Sequence, residues 1–258
     1  MQERRQTPSD TSWNRVSNWY DQIVSKEGHY YHQEVIFPHL EKCFFNRLKP
    51  ASRVIELACG QGVLERKLHP STAYLGVDLA PQLIKAAMEK RVSEQHRFLC
   101  QDATKPLATE EMFDFGVMIL ALQNVKEPLG VMKNFSAHLK KNGRVDLIIN
   151  HPVFRIPRQS SWGVDESKKI QFRRVDRYMS AMEIPINMQP SLADASEQTL
   201  SYHHPLSFFS KIFAETGFAI LSIDELLSNK KSEGKMKKME DRARAEFPLF
   251  MAFELMKL

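Results

Sequence analysis

Two hydrophobic rhythms alternate along the first two-thirds of the chain. Short, continuous apolar runs read as strands buried on both faces: SRVIEL (52–57), AYLGVD (73–78), HRFLCQD (96–102), FDFGVMILAL (113–122) and RVDLIIN (144–150). Between them lie segments with helical spacing. One follows a glycine turn and runs to about Leu68; PQLIKAAMEKR carries proline in its first turn; EPLGVMKNFSAHLKKNG (127–143) stops at Gly143. Ahead of the first strand, VIFPHLEKCFFNRL (35–48) places Val35, Ile36, Leu40, Phe44 and Leu48 on one face of an amphipathic helix. Strand–helix alternation of this kind predicts a parallel, doubly wound α/β sheet with right-handed crossovers. Ligands in such sheets bind beyond the carboxyl ends of the strands, at the topological switch point.

After residue 150 the alternation pauses for about fifty residues, through a proline- and arginine-rich stretch, NHPVFRIPRQSSWG, with almost no periodicity. It resumes with a helix (205–217), a strand (218–226), a basic segment and a final strand (247–256). The expected organisation is an N-terminal helical cover over 1–50 and a single α/β domain over 51–258, with an insertion at about 151–204.

Composition narrows the picture. A chain of 258 residues with 43% apolar residues can bury a core without a disulfide or metal staple. Cys43, Cys59 and Cys100 are odd in number and form no CxxC pair, which argues against a zinc site and for a reducing compartment. No apolar run approaches the length of a membrane span, and the polar N-terminus has no signal-peptide core, so a cytoplasmic protein without a membrane partner is expected. The net charge of +5 is concentrated: residues 229–244 hold seven Lys/Arg against three acids. No aromatic residues interleave with those lysines, which argues for a solvated face rather than a nucleic-acid track.

Candidate chemistry sits at the strand ends. The first strand runs into ELACGQG, where Gly60 and Gly62 allow close backbone approach to a ligand. Glu65 stands where a dinucleotide fingerprint requires its third glycine, and no P-loop lysine follows, which disfavours both of those sites. Asp78 ends the second strand, 18 residues after Gly60, in position to accept from ribose hydroxyls. Asp102 ends the third, in position to accept from an adenine amino group.

Taken together, IELACGQG, GVDLA, CQDAT, FDFGVMILALQNV and LKKNGRVDLIIN resemble the motifs of class I S-adenosylmethionine-dependent methyltransferases, over roughly residues 50–150. The resemblance implies a Rossmann-like seven-stranded sheet, six strands parallel and the last antiparallel, with helices on both faces. It also implies S-adenosylmethionine as cofactor and S-adenosylhomocysteine as product. By it, Glu56, Ala58, Gly60 and Gly62 shape the methionine and ribose site, and Asp78 with Leu79 holds the ribose. Asp102 and Ala103 hold the adenine, while Ala121 and Leu122 border the sulfonium. The N-terminal WNRVSNWYDQIVSKEGHYYHQEVIFP looks like the cover segment of small-molecule methyltransferases, with Trp19, Tyr20, Tyr31 and His32 either closing over the cofactor or packing as ordinary helix aromatics.

The methyl acceptor is narrowed mainly by exclusion. ALQNV stands where amine-methylating nucleic-acid enzymes carry Asn/Asp-Pro-Pro-Tyr/Phe, and there is no Pro-Cys nucleophile. The insertion overhangs the reactive end of the fold. Its HPVFRIP stretch (151–157), with the later YHHPLS (202–207), is similar to a bacterial subgroup whose later motif has arginine where His204 stands here. These features predict a small, planar or carboxylate-bearing acceptor. His151 or His203 is the general base, Arg155 and Arg158 grip an anionic group, Trp162 stacks on the planar acceptor and Tyr178 contacts it; no metal is expected. Alternatives are an RNA methyltransferase using the basic segment, and a catalytically silent cofactor-binding module. Arg155 and Arg158 could also pair with Asp165 and Glu166 merely to order the insertion.

Overall fold

The seven main strands follow the predicted apolar runs closely. They are β1 (Arg53–Leu57), β2 (Ala73–Asp78), β3 (His96–Cys100), β4 (Phe113–Ile119) and β5 (Leu139–Asn150), then β10 (Phe218–Leu226) and β11 (Phe250–Lys257). This computed structural model describes residues 12–15, 24, 27–188 and 196–258. The strands form one sheet in the order β10-β11-β5-β4-β1-β2-β3. β1 pairs in parallel with β2 and β4, and β4 in parallel with β5, while β11 runs antiparallel to both neighbours. Six strands therefore share one direction and the last opposes them, the arrangement expected of a Rossmann-like methyltransferase sheet.

Because side chains alternate along a strand, each central strand feeds two cores. Ile55, Leu57, Leu75 and Val77 point to one face, under the helices Pro128–His138 and Leu206–Glu215, where Phe135, Phe209 and Phe213 are fully or nearly fully buried. Val54, Tyr74, Val117 and Ile148 point to the other, against Val35, Ile36, Leu40 and Phe44. Residues 35–44 thus form the layer that packs on this face of the sheet. The helix there begins as a π-helical turn (His32–Ile36), continues as α-helix (Phe37–Cys43) and ends in a 3-10 turn (Phe45–Arg47).

Two local expectations change. The segment after the glycine turn is not a full helix: it is a series of turns closing in a 3-10 turn, Glu65–Lys67. The reason lies in Glu65, which is drawn inward. Its buried carboxylate accepts from the Val92 N–H (2.8 Å) and pairs with His96 Nδ1 at 2.5 Å. Secondly, the helix after β4 stops at His138 rather than at Gly143, and the chain is extended from Leu139 onward, with Asn142 at φ +63.

The insertion is not irregular either. After a run of turns it forms two antiparallel hairpins, β6 (Ser160–Asp165) with β7 (Ile170–Val175), and β8 (Met182–Asn187) with β9 (Gln198–His203). Arg173 ties the first hairpin to the preceding turn, donating to the Phe154 carbonyl and to Ser160 Oγ, both at 2.8 Å. β9 packs against the 3-10 turn Leu122–Asn124 that follows β4.

Candidate cofactor and acceptor site

A cleft opens where β1, β2 and β4 end. Beyond Leu57 the backbone turns through left-handed conformations, Ala58 at φ +55, Gly60 at +54 and Gly62 at +74, and the Cys59 N–H ties the turn to the Val77 carbonyl at 3.0 Å. Glycine accepts such angles freely; Ala58 and Leu120 (φ +51) do not, yet both line the cleft. Strain of that kind, of order 1–3 kcal/mol per residue, persists where the surroundings over-determine it, as they do at binding sites.

Asp78 stands at the centre. Its Oδ2 accepts the Gly60 N–H (2.8 Å) and its Oδ1 the Ala80 N–H (2.9 Å), so the carboxylate is held against the glycine turn. Burial raises its pKa, and these backbone N–H bonds pull it back down. Each oxygen keeps a second lone pair that can accept from a ligand hydroxyl. Asp102 Oδ1 accepts from both the backbone N–H and the hydroxyl of Thr104, each at 2.8 Å, which leaves Oδ2 for a ligand. Met118, Ile119, Leu120 and Ala121 supply an apolar wall, and Leu79, Leu83 and Ala103 another.

Of the residues expected to hold a cofactor, Ala58, Gly60, Asp78, Leu79, Asp102, Ala103 and Ala121 line this cleft together. Others do not. Glu56 faces the N-terminal layer, where its Oε2 accepts the Tyr74 hydroxyl proton at 2.5 Å, and burial pushes its carboxyl up to about 8. Leu122 is buried in the core, and Gly62 packs beside Ala87 and Phe98. Tyr31 meets Phe250 edge-on, and His32 is buried beside His29, with burial lowering its pKa to about 3. Tyr20 and Trp19 lie outside the described residues. Cys59 is buried, which raises its thiol pKa, so it is a packing residue. The sequence reading missed Trp13, which lines the cleft while its neighbour Asn14 accepts the Gln82 N–H (3.0 Å) at the start of the helix Pro81–Lys90. It also missed Thr104, Asn124 and Val125. Trp13 belongs to the same aromatic segment as the residues that were named, so the signal was present but spread over several rings.

Across the turn Leu122–Asn124 lies a second, small cavity. Gln123, His151, Arg155, Tyr202, His203 and His204 line it. His151 has both ring nitrogens engaged: Nε2 pairs with Glu225 Oε1 at 2.8 Å, and Nδ1 accepts the N–H groups of Val153 (3.2 Å) and Phe154 (3.3 Å). It anchors the start of the insertion and has no lone pair left for catalysis. His203 differs. Its Nε2 lies 2.8 Å from the Tyr178 carbonyl, an acceptor only, so the proton is on Nε2. Burial lowers its pKa, the bond to that carbonyl pulling the other way, so the neutral ring presents a lone pair at Nδ1.

Three expected acceptor residues fall elsewhere. Trp162 has the Arg173 guanidinium 5.0 Å from its ring centroid and meets Phe247 edge-on, so it packs the first hairpin instead of stacking on an acceptor. Tyr178 accepts the Leu206 N–H at 2.9 Å, capping the helix Leu206–Glu215. Arg158 is exposed, at φ +59, away from the cavity. The alternative of structural arginine–carboxylate pairs is not realised: Asp165 is taken by Ser167 and Lys168, and among the described residues neither Arg155 nor Arg158 forms an ion pair. Among the described residues, no group of three or more His, Cys, Asp or Glu side chains could hold a metal, and no helix is long and apolar enough to cross a membrane.

Sheet order, glycine turn and strand-end carboxylates define a methyltransferase fold of the Rossmann-like class. Comparison with known proteins agrees. Residues 55–145 match the family model described as a methyltransferase domain. Residues 55–145 therefore match a methyltransferase domain, set in a sheet that has the fold of S-adenosylmethionine-dependent methyltransferases. Among solved structures the chain is similar to an S-adenosylmethionine-dependent methyltransferase from Mesorhizobium loti (20% identity, 86% of this chain and 97% of that one, TM-score 0.67). It is also similar to one from Clostridium acetobutylicum (19% identity, 96% and 99%, TM-score 0.61). The glycopeptide N-methyltransferase MtfA, in complex with S-adenosylmethionine, matches with 13% identity over 84% of this chain and 92% of that one, at TM-score 0.55. No curated protein matches the chain in sequence.

Proposed function

We propose that the protein transfers the methyl group of S-adenosylmethionine to a small-molecule acceptor, planar or carboxylate-bearing, with His203 as general base and Arg155 as the anion contact. The observation that carries this reading is the small cavity beside the cofactor cleft, lined by a neutral histidine with a fixed tautomer and by Arg155, which forms no ion pair among the described residues.

The residues of the cleft suit the cofactor. Asp78 is fixed to accept two hydroxyl protons, Asp102 keeps an oxygen for an amine, and apolar walls from Met118–Ala121 and Leu83 suit a flat base. When bound, S-adenosylmethionine supplies an electrophilic methyl on a sulfonium. The protein's part is to align an acceptor atom in line with that carbon, exclude water, and take the proton the acceptor loses on His203 Nδ1. Trp13, which lines the cleft, contributes an apolar ring that helps to exclude water. Arg155 gives the acceptor its orientation through a charge-assisted bond to a carboxylate.

The test is transfer of labelled methyl from the cofactor into metabolite and RNA fractions of a cell extract, with wild type and His203→Gln. Label in the metabolite fraction, lost in the variant while cofactor still binds, is expected. Label confined to RNA refutes the small-molecule reading, and label in neither fraction refutes catalysis.

A further inference from the structure

The lysines of 229–244 are not an isolated solvated face. The helix Lys237–Arg244 packs against β7, and Arg242 donates to the Lys169 carbonyl (2.7 Å) in the turn of the first hairpin. This joins two separate basic stretches into one groove, with Lys168 and Lys169 on one wall and Lys235, Lys237, Lys238 and Arg242 on the other. Glu166 is the one acid among its lining residues. Lys168 leans toward Asp165 at 3.7 Å, but among the described residues Lys169, Lys235, Lys237 and Lys238 form no ion pair.

The same ledge exposes apolar side chains. Val164 (40% exposed) and Met236 (43%) line the groove, while Ile170 (42%) and Phe172 (45%) emerge from the other side of the ribbon. Val164 and Met236 therefore stand among the lysines, giving the groove an amphipathic lining, while Ile170 and Phe172 belong to the opposite face of the ribbon.

We propose that the hairpin β6–β7 and the helix Lys237–Arg244 dock the protein on an anionic phospholipid surface. Charge complementarity points to an anionic partner, and the apolar residues decide which one. Bases of nucleic acid require free aromatic faces. Here Phe172 packs across Gly163 on the face of the ribbon opposite the groove, and Trp162 is occupied by Arg173 and Phe247. What remains exposed beside the lysines is chiefly aliphatic, which suits insertion at the headgroup–acyl boundary. Lysines beside it attract acidic headgroups over about a Debye length. Docking of this kind needs no spanning segment, so it is compatible with the absence of one among the described helices.

The experiment is co-sedimentation of the full chain with vesicles of phosphatidylcholine alone and of phosphatidylcholine mixed with phosphatidylglycerol. Sedimentation with the mixed vesicles only, weakening as salt rises, is expected. Replacing Lys169, Lys237 and Lys238 together by alanine should lower partitioning on the order of a hundredfold. Val164→Ser with Met236→Ser should lower it about tenfold per residue. Because these residues lie outside the cleft, cofactor binding by both variants serves as the folding control. Failure to sedimentation-bind mixed vesicles at low salt overturns the proposal, as does undiminished binding by the lysine variant. Single-stranded RNA retained on filters by the wild type and lost in the lysine variant, without vesicle binding, would assign the groove to nucleic acid instead.

Discussion

Glu56 offers the sharpest test of how the fold divides its carboxylates. It is the last residue but one of β1, close to the cleft, yet it is only 4% exposed, faces the N-terminal layer and accepts the Tyr74 hydroxyl at 2.5 Å. Burial holds its pKa at about 8; the tyrosine bond opposes that rise and the nearby Asp78 charge adds to it. The unfolded chain would titrate this group near 4.5. A folded pKa above the unfolded one means that the folded state keeps a proton which the unfolded state releases. The stabilisation is therefore complete below about pH 4.5 and is lost as pH rises through about 8. One proton changes stability by about 1.4 kcal/mol per pH unit, so about 3 kcal/mol should go between roughly pH 5 and pH 7.

Glu56→Gln keeps the size of the side chain and an oxygen for Tyr74 but cannot ionise. Urea unfolding of both proteins across this range, followed by tryptophan fluorescence, should show the stability difference moving in favour of the variant as pH rises. Titration of every other group cancels in that difference. Parallel curves would mean that Glu56 is ionised in the fold and would refute the reasoning. The variant should also bind S-adenosylmethionine like the wild type at neutral pH, by calorimetry. A loss beyond about tenfold would place Glu56 at the ligand after all.

Three further outcomes follow from the site. Asp78→Asn replaces a charged acceptor with a neutral one, and cofactor affinity should fall by about 1.5–3 kcal/mol, roughly ten- to a hundredfold in titration calorimetry. His203→Gln should lower kcat by about a hundredfold or more with cofactor affinity unchanged. In the wild type, burial lowers the His203 pKa, so the basic form persists below the ordinary histidine value of 6.5, and turnover should fall only on the acid side of that value. Ala58→Val sets a β-branched residue at φ +55 and fills the cleft, so thermal unfolding should report at least about 1 kcal/mol of lost stability, together with weakened cofactor binding.

The cofactor half of the site was legible because it is written locally. A strand, a glycine turn and a carboxylate at the next strand's end lie close in sequence, and parallel pairing brings successive strand ends to one edge. Ala58, Gly60, Asp78, Asp102 and Ala121 meet there for that reason. Glu56 points away from the cleft because strand residues alternate between faces, and Leu122 because the 3-10 turn it opens directs it into the core.

The acceptor half was written at long range. Nothing in HPVFRIP or YHHPLS says which histidine keeps a lone pair; that depends on Glu225 reaching His151 and on the Tyr178 carbonyl reaching His203. The same holds for Trp162 and Tyr178, whose aromatic character suggested a pocket but whose tertiary partners are Phe247, Arg173 and the start of a helix. The basic segment changed meaning when folding set it beside a hairpin remote in sequence. The sequence by itself determined the sheet, the cofactor edge and the class of chemistry, because apolar periodicity and strand-end residues act locally. Only the tertiary structure decided which histidine is consumed by the fold and which remains free to act, because the contacts of His151 with Glu225 and of His203 with the Tyr178 carbonyl join residues the chain order keeps apart.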